Sequence, residues 1–257
     1  MSAIETRPLV PEVSPLRRLA VLLHADLLVQ TRNARVLVVT LVVPVVLLIG
    51  IGHNQRAQMP TNVRLALALM LGTALLAVIN YPSTLARDRE LGVLQRLRVT
   101  PAPGWLILVS RLLIQAASVL VLCLVLMIVG GVALHLGFGA GDYVWTLLTA
   151  LLGSALYLSA GQAIVALVYA PDTVRATSAL VGVALILLGV FGHTAALGST
   201  FEEIARWSPG GAYSELLATA TTGGGWTGSV TASVAVCLGY TAVFAVIGVR
   251  WFRWARA

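Results

Sequence analysis

The sequence predicts an all-α, polytopic membrane protein. Six transmembrane helices are expected, with an N-terminal interfacial amphipathic helix before them and a short cytoplasmic helix between the second and the third. Three observations carry this. Of 257 residues, 58% are hydrophobic and only 11% charged, whereas a soluble domain carries about 25% charged residues. Mean hydropathy is +0.92, and the apolar residues fall in blocks that match the roughly 20 residues a helix needs to cross a bilayer. The seventeen basic residues are all arginine and are shared unevenly among the segments joining those blocks. This composition excludes a soluble enzyme and a disordered chain. With no lysine, the chain has no phosphate-binding P-loop of its own and no lysine Schiff-base chemistry.

The first 35 residues hold Arg7, Arg17, Arg18, Arg32 and Arg35. They lack the short apolar run and small-residue cleavage site of a signal peptide. Ser14 and Pro15 form a helix-start signal. Leu16, Leu19, Ala20, Leu23 and Leu27 then follow helical spacing along one stripe, with Arg17, His24, Thr31 and Arg35 on the other side. Asp26 and Gln30 interrupt the apolar face. Residues 1–35 therefore read as a cytoplasmic tail and a helix lying in the membrane interface.

Residues 36–250 form the membrane domain, and 251–257 a second cytoplasmic tail. The spans are placed at 36–52, 64–86, 105–135, 143–170, 174–197 and 229–249. Pro44 lies in the first, a position tolerated because neighbouring helices can satisfy the freed carbonyl. Segment 86–104 follows the second span. Leu91, Leu94 and Leu97 recur among Arg87, Arg89, Gln95, Arg96 and Arg98, with Asp88 and Glu90 interspersed. This predicts a short amphipathic helix whose mixed charges suit a protein partner. Thr100, Pro101 and Pro103 stop it. Segment 199–228, on the opposite side, reads as a re-entrant or surface helix pair broken at Pro209-Gly210-Gly211.

Six spans place both termini on one side, and the arginines decide which. Fourteen of the seventeen fall on the side of the termini and of segment 86–104, and only Arg56, Arg64 and Arg206 on the other. The positive-inside rule makes the richer side cytoplasmic. Trp105, Trp145, Trp226, Trp251 and Trp254 mark span ends as interfacial anchors. Cys123 and Cys237 read as small hydrophobes within apolar blocks. His53, His135 and His193 fall near outer span ends with no spacing that brings them together, so no metal site is expected. The acidic residues sit in loops or near span ends rather than paired on facing helices, and no catalytic residue is assigned. Among polar residues within spans, Asn80, Gln115, Tyr157 and Gln162 are candidates for the pathway. Hydrogen bonding between helices is the competing role for each.

The run Glu90, Gly92, Leu94, Arg96, Leu97, then Thr100-Pro101, then a helix containing Arg111-Leu-Leu, resembles the ABC-2 type permeases. These are the membrane subunits of bacterial ATP-binding-cassette exporters. Trp207-Ser-Pro-Gly-Gly-Ala-Tyr-Ser-Glu-Leu-Leu217, ahead of the last span, is similar to a proline-containing outer segment of that family. The drug-resistance branch, typified by daunorubicin-type exporters, is the nearest likeness. The resemblance implies that 86–104 is a coupling helix docking on a separate ATPase subunit dimer. Arg87, Asp88, Arg89, Glu90, Gly92, Leu94, Arg96, Leu97, Thr100 and Pro101 are its coupling residues. It further implies a second permease copy or paralogue, a lipid environment and no nucleic acid. No cofactor is held in this chain, and ATP with Mg is bound on the partner. A hydrophobic or amphipathic drug or antibiotic is the expected cargo. Export of a lipid or polysaccharide precursor is the alternative, and a membrane assembly protein without transport the third reading.

Overall fold

The computed structural model describes residues 15–32, 34–52, 61–93, 104–192 and 199–251, and its regular structure there is entirely helical. Helices α1 (Pro15–Arg32) and α2 (Ala34–Gly52) come first. Next, α3 (Thr61–Ala74) and α4 (Tyr81–Glu90) are joined without a break by a π-helical turn, Leu75–Asn80. Then come α5 (Gly104–Ala133), α6 (Ala140–Leu167), α7 (Pro171–Phe191), α8 (Ser199–Arg206), α9 (Pro209–Thr221) and α10 (Gly228–Arg250).

Among the described residues, five helices are long and apolar enough to span a membrane: Val63–Glu90, Trp105–Ala133, Ala140–Leu167, Pro171–Phe191 and Gly228–Arg250. They correspond to the second to sixth spans expected from the sequence. The first expected span falls on α2, whose apolar stretch Val38–Gly50 is shorter than these five. There, Thr40, Pro44 and Leu48 face inward at four-residue intervals, while Val39, Val42 and Val46 face out. The ring of Pro44 sits against Gly72.

Burial is uneven and defines a centre. Within their apolar windows, 67% of α3–α4 and 78% of α6 is buried, but only 17% of α10. Between lipid-facing helices there is little hydrophobic drive to associate, so packing depends on close approach at small residues. Several glycines serve this purpose within the chain. Gly153 lies under the Tyr213 ring, Gly161 against the Ala77 carbonyl and Pro82, Gly182 on Ile79, and Gly189 on Met70. Around Gly239, by contrast, there is open space.

Two parts of the chain depart from the sequence reading. The outer helix pair breaks at Trp207–Ser208, not at Pro209-Gly210-Gly211. Ser208 caps α9 by accepting the Gly211 N–H at 3.0 Å, and Pro209 occupies the first turn, where its missing N–H costs nothing. The two glycines then let α9 press onto the backbone carbonyls of Leu185 and Ala205. At about 20 Å long, α9 is too short to cross the membrane, yet Ala212, Tyr213, Ser214 and Leu217 are buried. It is inserted among α3, α6, α7 and α10.

On α1, the residues read as interruptions are those that dock. The hydroxyl of Ser110 donates to Asp26 Oδ2 at 2.5 Å, and Gln30 Nε2 donates to Ser118 Oγ at 2.6 Å, fixing α1 on α5. Leu27, from the apolar stripe, is exposed, as are Val21, Leu28 and Val29. A helix beside lipid gains little by hiding leucine from it, so polar pairs decide which face packs.

Candidate functional site: an inner cavity beside the end of the central helix

The span helix does not stop at Ala86. It runs on to Glu90, so Arg87–Glu90 form its last turn rather than the start of a separate helix. Gly92 terminates it, at φ +69° in the left-handed region that favours glycine. Leu91 N–H bonds the Arg87 carbonyl at 2.9 Å, and Gly92 N–H that of Arg89 at 3.3 Å. Of the proposed coupling residues, Leu94, Arg96, Leu97, Thr100 and Pro101 lie outside the described residues.

The charges of this last turn divide. Arg87 and Glu90 are exposed. Asp88 turns inward and accepts from Arg111 Nη1 at 2.5 Å, in a pair that is 22% and 16% exposed respectively. Arg89 is only 7% exposed. Its guanidinium donates to the carbonyls of Val165 at 3.1 Å, Val168 at 2.9 Å and Tyr169 at 3.1 Å, and lies over the Tyr169 ring. These carbonyls belong to the end of α6, where a helix leaves acceptors unsatisfied and its dipole favours a cation. As a coupling residue, Arg89 is expected on the partner surface. Its hydrogen bonds instead fasten α4 to α6.

Beside this turn, α1, α2, the π-turn, α4 and α5 border a partly open cavity of about 240 Å3. Asp26, Gln30, Thr40, Asn80, Thr84, Asp88, Arg111 and Gln115 contribute polar groups, and Leu76, Leu85 and Ile114 apolar wall. The π-turn shapes it. Pro82 has no N–H and its ring crowds the carbonyl four residues before it, so the helix widens just ahead. Tyr81 N–H reaches back to the Leu76 carbonyl, which also accepts from Gln115 Nε2 at 2.9 Å. The Asn80-Tyr-Pro sequence is the signal for this turn, one that apolar periodicity does not reveal.

Of the four pathway candidates, Asn80 and Gln115 line the cavity. Gln162 stands one bond behind, its Oε1 accepting from the Tyr81 hydroxyl at 2.6 Å. Tyr157 lies elsewhere. It is fully buried, its ring edge-on to Tyr213 at 5.2 Å, and the Tyr213 hydroxyl is 3.1 Å from Thr73 Oγ1.

A second crevice of about 420 Å3 opens at the opposite end between α6, α9 and α10, beside the Trp145–Trp226 ring pair. Leu152 and Leu216 form its floor. Tyr213 is one turn below Leu216, and Thr73 one turn from Leu76 of the inner cavity. The buried Thr73–Tyr157–Tyr213 layer therefore lies between the two spaces. Among the described residues, no three His, Cys, Asp or Glu side chains gather as a metal site.

No curated protein matches the chain. The family described as ABC-2 family transporter protein matches residues 58–250, which take in the π-turn, the end of α4 and all later spans. A match over most of the chain, together with five apolar helices of spanning length, establishes that this protein belongs to the ABC-2 transporter family and is a multi-pass membrane permease, the membrane component that in this family normally works with an ABC ATPase.

Proposed function

We propose that the chain is the permease subunit of an exporter that moves a hydrophobic or amphipathic substrate, of the drug or antibiotic kind, out of the cell. A separate ATPase dimer holds ATP and Mg and docks on segment 86–104. A second permease copy or paralogue completes the pathway, and both termini lie in the cytoplasm. One observation carries the mechanism: the last turn of the buried central helix is bonded to α6 through Arg89 and to α5 through Asp88. A push on the residues that follow Glu90 is thereby delivered to three spans at once. Such rigid linkage suits a step in which closure of two ATPase subunits tilts the bundle.

Glu90 is exposed beside that turn. Glu90→Ala is expected to lower substrate-stimulated ATPase activity and export several-fold in proteoliposomes, with membrane insertion unchanged. Normal export and normal stimulation in that variant would count against docking here. A reporter active only in the cytoplasm, fused after Ala257, should be active, and an inactive fusion with an active external reporter reverses the topology. A deletion strain tested against a panel of drugs and lipid or polysaccharide precursors separates the two cargo classes.

A further inference from the structure

We propose that the inner cavity is a binding site for the ammonium head of an amphipathic cation, with the Asp26 carboxylate as its counter-charge. The proposal deepens the export reading by giving the cargo a charge, and rests on that reading only for the direction in which the cation leaves.

Among the described residues, the charges lining the cavity are Asp26 on α1, Asp88 on α4 and Arg111 on α5. Asp88 and Arg111 neutralise each other at 2.5 Å. Asp26 receives the Ser110 hydroxyl, and among the described residues no cation pairs with it. Asp26 is half-buried, and a partly desolvated carboxylate attracts a cation more strongly than one in bulk water does. The neighbouring amide and hydroxyl oxygens of Asn80, Gln115 and Thr84 are further acceptors for ammonium N–H groups. An anion entering the same space would meet two carboxylates and one arginine already engaged.

The cavity, of about 240 Å3, is partly open and admits a head group. The tail of a longer amphiphile would stay in the surrounding lipid. A free cationic amphiphile and a phosphatidylethanolamine lipid both present the required ammonium.

The test is calorimetric titration of the full chain in phosphatidylcholine nanodiscs, with dodecylammonium, dodecyl sulfate and dodecyl maltoside as probes. Dodecylammonium should bind, and the anionic and neutral probes should not compete. Asp26→Asn should weaken dodecylammonium at least about tenfold, the scale of a lost charge-assisted hydrogen bond. Glu203→Gln, the same charge change on exposed α8, should leave binding unchanged. Equal binding of dodecyl sulfate, or unchanged affinity in folded Asp26→Asn, overturns the proposal. If Asp26→Asn does not fold, Ile114→Trp, which fills the cavity from its wall, decides in its place: retained affinity overturns the site and lost affinity upholds it. Repeating the titration with phosphatidylethanolamine in the disc separates the two sources. A weakened apparent affinity identifies the lipid as the occupant, an unchanged one a free amphiphile, and both uphold an ammonium site. Lost binding with intact stimulated ATPase activity in the assembled transporter would remove this site and leave the export reading standing. Intact binding without any ATPase coupling would do the reverse.

Discussion

Replacing Arg89 with alanine is expected to lower the stability of the permease by about 2–4 kcal/mol and to abolish the ATP-driven transport proposed above. The estimate follows from what the side chain leaves behind. Three backbone carbonyls at the end of α6 lose a charged donor, and a hydrogen bond to a charged group is worth about 1.5–3 kcal/mol, with neighbouring bonds contributing less than their sum. Water can reach some of these carbonyls at the helix end, which caps the loss. Arg89→Lys is the sharper probe of function. A lysine ammonium is a compact point charge and cannot reproduce the planar fork that spans Val165, Val168 and Tyr169. It should restore much of the thermal stability in detergent while leaving stimulated ATPase activity depressed. If both variants melt with the wild type, Arg89 does not fasten α4 to α6.

The second large effect is steric. A Cβ on Gly161 would lie 2.5 Å from the Ala77 carbonyl oxygen and 2.9 Å from Pro82 Cγ. Neither can retreat, because one is backbone inside the π-turn and the other a ring closed onto that backbone. Gly161→Ala should cost about 1–3 kcal/mol, as overpacked interiors do, and Gly161→Leu should abolish the folded, monodisperse species in fluorescence-detected gel filtration. Gly153→Ala should behave similarly, since its added methyl would overlap the buried Tyr213 ring. Gly239→Leu is the contrast, with nothing within 4 Å to meet, and should fold normally. A Gly161→Leu protein that elutes and melts like the wild type would remove the argument that α6 and the π-turn touch at this glycine.

How much of this was legible in the sequence follows from what sets each feature. Spans depend on length and apolarity, which are local, and five of the six expected ranges coincide with helices of spanning length. The packed face of α1 was not legible from apolar spacing. In lipid the exposed side of a helix is also apolar, so the moment that identifies a core face in water loses its meaning. Asp26 and Gln30 carried the information because polar groups in that setting seek partners. The position of Arg89 illustrates a different gap. Charge composition places an arginine on the cytoplasmic side but cannot distinguish one that meets a partner from one that closes the end of a helix of its own chain. Gly92 was legible as part of a motif, and the structure supplies its physical reason in a left-handed turn that ends the span helix. The insertion of α9 was not, since its proline and glycines read equally well as a surface break until the carbonyls they approach are known.

The buried layer of Thr73, Tyr157 and Tyr213 has an electrical consequence. Its side chains fill the space between the two cavities, and the hydroxyls of Tyr213 and Thr73 are engaged with each other. Among the described residues, this layer separates the inner cavity from the outer crevice. An ion crossing here would have to shed its hydration in a region with few groups to replace it.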